Sequence, residues 1–124
     1  KYQPDCLINS RLGNGAYDYV SLGDNEIPDS LPAGEATETG RVDYNDIGGF
    51  KPSPYGLYET AATMNDSWGY CAWDQNWKDA EQILAIKKKL NGMGINYLLN
   101  VGPDHLGRIP GASQAILREV AAGI

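Results

Sequence analysis

The sequence has one histidine and two cysteines in 124 residues. Cys6 and Cys71 lack C-x-x-C spacing and His105 is far from both, which argues against a structural zinc site. A Cys6–Cys71 disulfide and a pair of reduced thiols both stay open. Basic residues are few, 10 Lys and Arg against 16 Asp and Glu, for a net charge of −6. With no basic stripe, neither a nucleic acid nor a membrane is an expected partner. The one dense basic run, Lys87-Lys88-Lys89, falls late in a predicted helix, where cations complement the helix dipole. No signal peptide, transit peptide or membrane-spanning apolar run is present. Gly13-Asn14-Gly15 is followed by Ala16-Tyr17-Asp18, so there is neither a phosphate loop nor a dinucleotide fingerprint. A single histidine in a Gly-Pro loop leaves no credible Ser-His-Asp set. No metal or cofactor is expected. The chain opens on Lys1-Tyr2-Gln3-Pro4-Asp5 without a methionine and reads as a piece of something longer.

What the chain does have is a concentration of aromatics. All three tryptophans, Trp68, Trp73 and Trp77, fall within ten residues, beside Asn65, Asp66, Asp74 and Asn76. An aromatic face next to short polar groups suits a sugar ring, whose C–H face stacks while its hydroxyls take hydrogen bonds. The competing reading is a hydrophobic patch that closes one end of a core. Carboxylates near aromatics are also the equipment of glycoside hydrolysis.

Length and composition fit one compact domain. Cys6-Leu7-Ile8-Asn9-Ser10 reads as a short buried strand, with Arg11 at its end. From about residue 12 to 57 the chain is rich in Gly, Pro, Asp, Asn and Ser without a sustained period, which predicts a long functional loop. Its acidic members include Asp18, Asp24, Glu26, Asp29, Glu35, Glu38, Asp43 and Asp46. A second strand is expected near Thr60–Met64. Asp79 with Gln82 forms a capping-box pattern, and Ala80, Ile83, Leu84, Ala85 and Leu90 supply the apolar face of a helix that Asn91-Gly92 stops. Ile95–Val101 reads as a third strand. Pro110 suits the first turn of a last helix, with Ile116, Leu117 and Val120 facing inward.

Strands alternating with helices favour an α/β fold with a parallel sheet. The polar and aromatic residues follow the strands, where open α/β sheets and (β/α)8 barrels place their sites. A full barrel needs about 250 residues, so the expectation is a partial (β/α)8-like (TIM) barrel.

Several ordered motifs point to one family. Tyr58-Glu59-Thr60, Asn65-Asp66-Ser67-Trp68-Gly69-Tyr70, Asp74 and Asn76-Trp77-Lys78 form one run. Asn96-Tyr97-Leu98-Leu99-Asn100-Val101-Gly102-Pro103, with Gly107 and Ile109-Pro110, forms another. Gln3-Pro4-Asp5, Asn9-x-Arg11, Asp18-Tyr19 and Gly23-Asp24-Asn25-Glu26-Ile27-Pro28 precede them in order. Together these resemble the bacterial α-L-fucosidases of glycoside hydrolase family 29, over nearly the whole chain except about Leu31 to Gly56.

The resemblance implies that residues 1–124 are the C-terminal half of the catalytic barrel of a retaining hydrolase that removes terminal α-L-fucose. It implies two partners: a fucosylated glycan or α-L-fucoside as substrate, and the N-terminal half of the barrel. The family's nucleophilic Asp lies on an earlier strand, so this segment alone is expected to be inactive. Arg11 matches an arginine that hydrogen-bonds fucose and bears on the nucleophile. The family's acid/base sits in the loop that follows, where Asp24 fits best and Glu26 is second. Trp68 matches an aromatic that packs on the sugar against its C6 methyl. Glu59 matches the Glu of a Trp-Glu pair, either a sugar-site residue or a buried structural acid, and here Tyr58 replaces the tryptophan. Met93-Gly94-Ile95-Asn96 stands where the family usually has Gly-Gly-Asn. Two non-enzymatic readings remain beside this one, a sugar-binding module built on Trp68 and an inert barrel fragment.

Overall fold

The computed structural model describes residues 2–12, 16–31 and 52–124. Strands β1 (Tyr19–Asp24), β2 (Leu57–Thr63) and β3 (Ile95–Asn100) form one sheet in that order, with every pair parallel. Helix α1 (Ala80–Gly92) connects β2 to β3, and helix α2 (Gly111–Ala122) follows β3. The α/β class and the parallel sheet are as expected. Among the described residues no helix is long and apolar enough to cross a membrane. Nor is any group of three His, Cys, Asp or Glu among them placed to hold a metal ion.

Side-chain alternation divides the sheet into two unlike faces. Val20, Leu22, Tyr58 and Ile95 point to one side and pack with Ile86 and Leu90 of α1. Met64, Leu99 and Val101 continue that layer against Ile83 of α1 and Ile116, Leu117 and Val120 of α2. The other face carries Leu57, Glu59, Ala61, Asn96 and Leu98, and no helix among the described residues covers it. Leu57 keeps 40% and Leu98 49% of its surface exposed.

The helix ends follow from local chemistry. The Asp79 carboxylate accepts from the Gln82 amide at 2.8 Å, and the Gln82 side chain accepts from the Asp79 amide at 2.9 Å. The capping box is therefore complete. The chain leaves α1 two residues later than the sequence suggested: Gly92 is still helical, and Gly94 makes the reversal at φ 75°. Pro110 occupies the position just before α2, where its missing N–H costs nothing.

Two expectations are corrected. Cys6–Ser10 is not a strand. It makes a single parallel bridge, Asn9 to Tyr19, and then winds into a short 3-10 turn over Ser10–Leu12 with no buried residue. Among the described residues its apolar members join neither core cluster, and Leu7 is 56% exposed. The first real strand is β1, which lies within the stretch read as loop. Gly23 and the acidic end of Tyr-Val-Ser-Leu-Gly-Asp hid its alternation. Residues 13–15 and 32–51 of that loop, with Glu35, Glu38, Asp43 and Asp46, lie outside the described residues. Cys6 and Cys71 are both free, which answers the question of a disulfide.

Candidate active site

The site lies on the uncovered face of the sheet. A cleft of about 600 Å³ is lined by Asn9, Arg11, Tyr19, Asp24, Glu59, Ala61, Trp68 and Leu98. Four of the five expected site residues are among them. Glu26 is not: it is exposed, and its carboxylate lies over Gly23, 3.8 Å from where a Cβ on that glycine would stand.

A β-bulge brings Asp24 into the cleft. Ser21 pairs with Glu59, but Asp24 rather than Gly23 pairs with Ala61. One extra residue on β1 turns the following side chain to the opposite face. Without it, strict alternation from Ser21 would place Gly23 at the cleft and send Asp24 to the helix side. Gly23 takes the left-handed conformation the bulge requires, with φ 79°. Asn25, at φ 56°, then turns the chain away, its amide bound to the Ala61 carbonyl at 2.9 Å.

Arg11 meets Asp24 across the cleft. Nη1 donates to Oδ2 at 3.3 Å and Nη2 donates to Oδ1, a two-point ion pair between half-exposed side chains. The 3-10 turn that carries Arg11 is fixed by Asn9, whose Oδ1 accepts from the Arg11 amide at 2.7 Å. Nδ2 of Asn9 donates to the Ser21 hydroxyl at 3.0 Å, and that hydroxyl donates to Oε1 of Glu59 at 3.2 Å. Glu59 is thus linked to Arg11 through two polar side chains. The motif Asn9-x-Arg11 drew attention to Asn9, but nothing in the sequence marked Ser21. Its role comes from facing Glu59 across the β1–β2 register.

Trp68 forms the other wall, 41% exposed, on the loop between β2 and α1. Asp74 organises that loop: its Oδ2 accepts from the amides of Asp66 (3.0 Å) and Ser67 (2.8 Å), and its Oδ1 from Asn76 (3.2 Å). Burial pushes the Asp74 pKa up, but the hydrogen bonds from Asn76, Ser67 and Asp66 outweigh it and hold the carboxyl below its ordinary 3.8. Nδ2 of Asn76 binds both oxygens of Asp66 at 3.1 Å each. From the far side, Asn100 at the end of β3 donates to the Trp68 carbonyl at 2.8 Å. The indole edge therefore sits on a braced loop.

An arginine, two carboxylates and an aromatic face in one open cleft can hold a polyhydroxylated ring and move a proton at its edge. Comparison with known proteins narrows this. A family model described as Alpha-L-fucosidase matches residues 1–122. Among solved structures, the α-L-fucosidase AlfC from Lactobacillus casei in complex with α-L-fucose is 53% identical, with a TM-score of 0.73. The match covers 96% of this chain and 30% of that one. A mutant of AlfC in complex with Fucα(1,6)GlcNAc is 52% identical, with a TM-score of 0.71 and the same coverage. The α-L-fucosidase isoenzyme 1 from Paenibacillus thiaminolyticus is 29% identical with a TM-score of 0.70, over 97% of this chain and 27% of that one. A search of curated proteins gives no match. The chain spans about 30% of the length of AlfC. By the family match over residues 1–122 and its likeness to these enzymes, the chain belongs to the α-L-fucosidase family.

Proposed function

We propose that this chain is the C-terminal half of a (β/α)8-like catalytic barrel of glycoside hydrolase family 29, and that the intact enzyme hydrolyses terminal α-L-fucosides with retention of configuration. The observation that carries this reading is the convergence of Arg11, Asp24, Glu59 and Trp68 on one cleft of the bare sheet face. Three parallel strands whose described helices lie on one side are what an arc of such a barrel presents, its other face turned to the barrel interior. AlfC structures with fucose and with 4-nitrophenyl-α-L-fucopyranoside support the substrate class.

In this reading Asp24 is the acid/base and Trp68 packs on the C6 methyl of fucose. Arg11 hydrogen-bonds the sugar, and Glu59 braces the floor of the site through Ser21. The nucleophile is an Asp on the other half of the barrel, with its carboxyl about 5–5.5 Å from that of Asp24. It attacks the anomeric carbon as Asp24 gives a proton to the leaving oxygen, so the glycosidic bond breaks as the glycosyl–enzyme ester forms. Asp24 then takes a proton from water, which displaces the nucleophile and releases fucose. The ion-paired Asp24 seen here is in the form the second step needs. The first needs Arg11 to release it, its donors passing to sugar hydroxyls and to the nucleophile. Alone, the 124 residues lack one of the two carboxylates and are expected to be inactive.

The test is substitution in the intact enzyme. Asp24→Ala is expected to slow turnover of an aryl α-L-fucoside severely and to be rescued by azide, while Glu26→Ala stays near normal. The reverse pattern would transfer the acid/base role to Glu26.

A further inference from the structure

Thr63, the last residue of β2, has no exposed surface, and its polar atoms are shared among separate loops at this end of the sheet. Its amide donates to Oδ1 of Asn25 at 2.8 Å, directly after Asp24. Its carbonyl accepts from Nζ of Lys78 at 2.9 Å. Its hydroxyl, 3.1 Å from the Ser67 carbonyl, accepts from Nδ2 of Asn100 at 3.0 Å. The same Nδ2 donates to the Trp68 carbonyl at 2.8 Å. An amide nitrogen has two hydrogens, so Asn100 makes both bonds at once. Close by, a Cβ on Gly102 would stand 2.8 Å from backbone atoms of Gly69 and Tyr70. The end of β3 and the tryptophan loop therefore meet backbone to backbone.

We propose that Asn100 and Thr63 are positioning residues for Trp68, and that they set how strictly the site selects a methyl over a hydroxymethyl group at C6 of the sugar. They tie the peptide that carries the indole to the residue beside Asp24, so the two walls of the cleft share one buried anchor. This rests on the reading above that Trp68 packs on the C6 methyl. Dispersion contact is steep in distance: a gap of roughly 0.5–1 Å forfeits a quarter to a half of the attraction. A hydroxymethyl group against the same indole strands a hydroxyl on an apolar wall. Selectivity thus depends on where the indole stands, and Asn100 and Thr63 determine that without touching substrate.

The experiment compares kcat/KM of the intact enzyme for an aryl α-L-fucoside and the matching α-L-galactoside. Trp68→Ala is expected to erode the preference for fucoside. Asn100→Ala is expected to erode it about tenfold, the scale of one hydrogen bond, chiefly through KM for the fucoside. Thr63→Val should follow it and Thr63→Ser should restore the preference. Trp68→Ala combined with Asn100→Ala should be no less selective than Trp68→Ala alone, because the second change acts through the first residue. If Asn100→Ala does not fold, Asn100→Asp, which keeps the size and loses the donated bonds, decides the case. Full additivity, or equal losses on both substrates, would overturn the positioning role while leaving Trp68 in place. An unchanged preference in Trp68→Ala would instead overturn the sugar-packing reading, and this inference with it.

Discussion

Arg11 and Asp24, thirteen residues apart in sequence, close on each other through two parallel hydrogen bonds from guanidinium to carboxylate. Each reaches the cleft by a local device, Arg11 on a 3-10 turn pinned by Asn9 and Asp24 on a bulge opened by Gly23. The bridge from Asn9 to Tyr19 sets the turn beside β1, and the bulge of β1 against β2 turns Asp24 toward it.

The pairing predicts that charge alone does not replace Arg11. A lysine ammonium is a point charge and cannot present two parallel donors to a carboxylate or to a pair of sugar hydroxyls. In the intact enzyme Arg11→Lys is expected to lower kcat/KM for an aryl α-L-fucoside roughly ten- to a hundredfold, the scale of one charge-assisted hydrogen bond. Arg11→Ala should lose more. Steady-state kinetics on the two variants decide it, and near-normal activity in Arg11→Lys would reduce the role of Arg11 to that of a bare positive charge.

Much of the fold was legible because it was locally encoded. The capping box at Asp79 and Gln82 and the apolar spacing through Leu90 announced α1, and β3 stood out as an apolar run between turn residues, while β2 was placed near Thr60–Met64 and begins three residues earlier, at Leu57. β1 was not legible, since a bulge breaks the alternation by which strands are recognised, and Tyr19–Asp24 shows its partner only once β2 is beside it. The reverse error at Cys6–Ser10 has the same root: an apolar run becomes a strand only if a sheet receives it, and here one bridge does. Family motifs pointed to Arg11, Asp24, Glu59 and Trp68, which the fold brings to one cleft, and they ranked Asp24 ahead of Glu26 without showing why only Asp24 lines it. That depends on which side chain the bulge turns inward.

The Asp74 shift predicts a pH dependence of the tryptophan loop. Hydrogen bonds to the ionised carboxylate depress its folded pKa below 3.8, so the unfolded loop binds the proton more readily. The stabilisation is therefore present above that ordinary value and is lost as pH falls through the lower folded one. Acidification below 3.8 is expected to loosen the Asp66–Asn76 segment, seen as loss of near-ultraviolet tryptophan dichroism. Asp74→Asn should start with a weaker signal and show no such transition there. A transition shared equally by both proteins would place its cause elsewhere.

The uncovered sheet face makes a prediction whose sign depends on what stands against it. Leu57 and Leu98 lie on that face, each 40% exposed or more, and burying a leucine side chain contributes about 1.5–3 kcal/mol. In a closed barrel this face is interior, where an aspartate at Leu57 would be a buried charge without a partner. Leu57→Asp is expected to destabilise the intact enzyme by several kcal/mol, roughly 3–5 on the scale of an uncompensated buried charge. In the 124-residue chain alone the same change should cost little and improve solubility, because it breaks an exposed apolar surface. Denaturant unfolding of the intact enzyme and sedimentation of the isolated chain measure the two halves. If the substitution is harmless in the intact enzyme, that face does not look into a barrel.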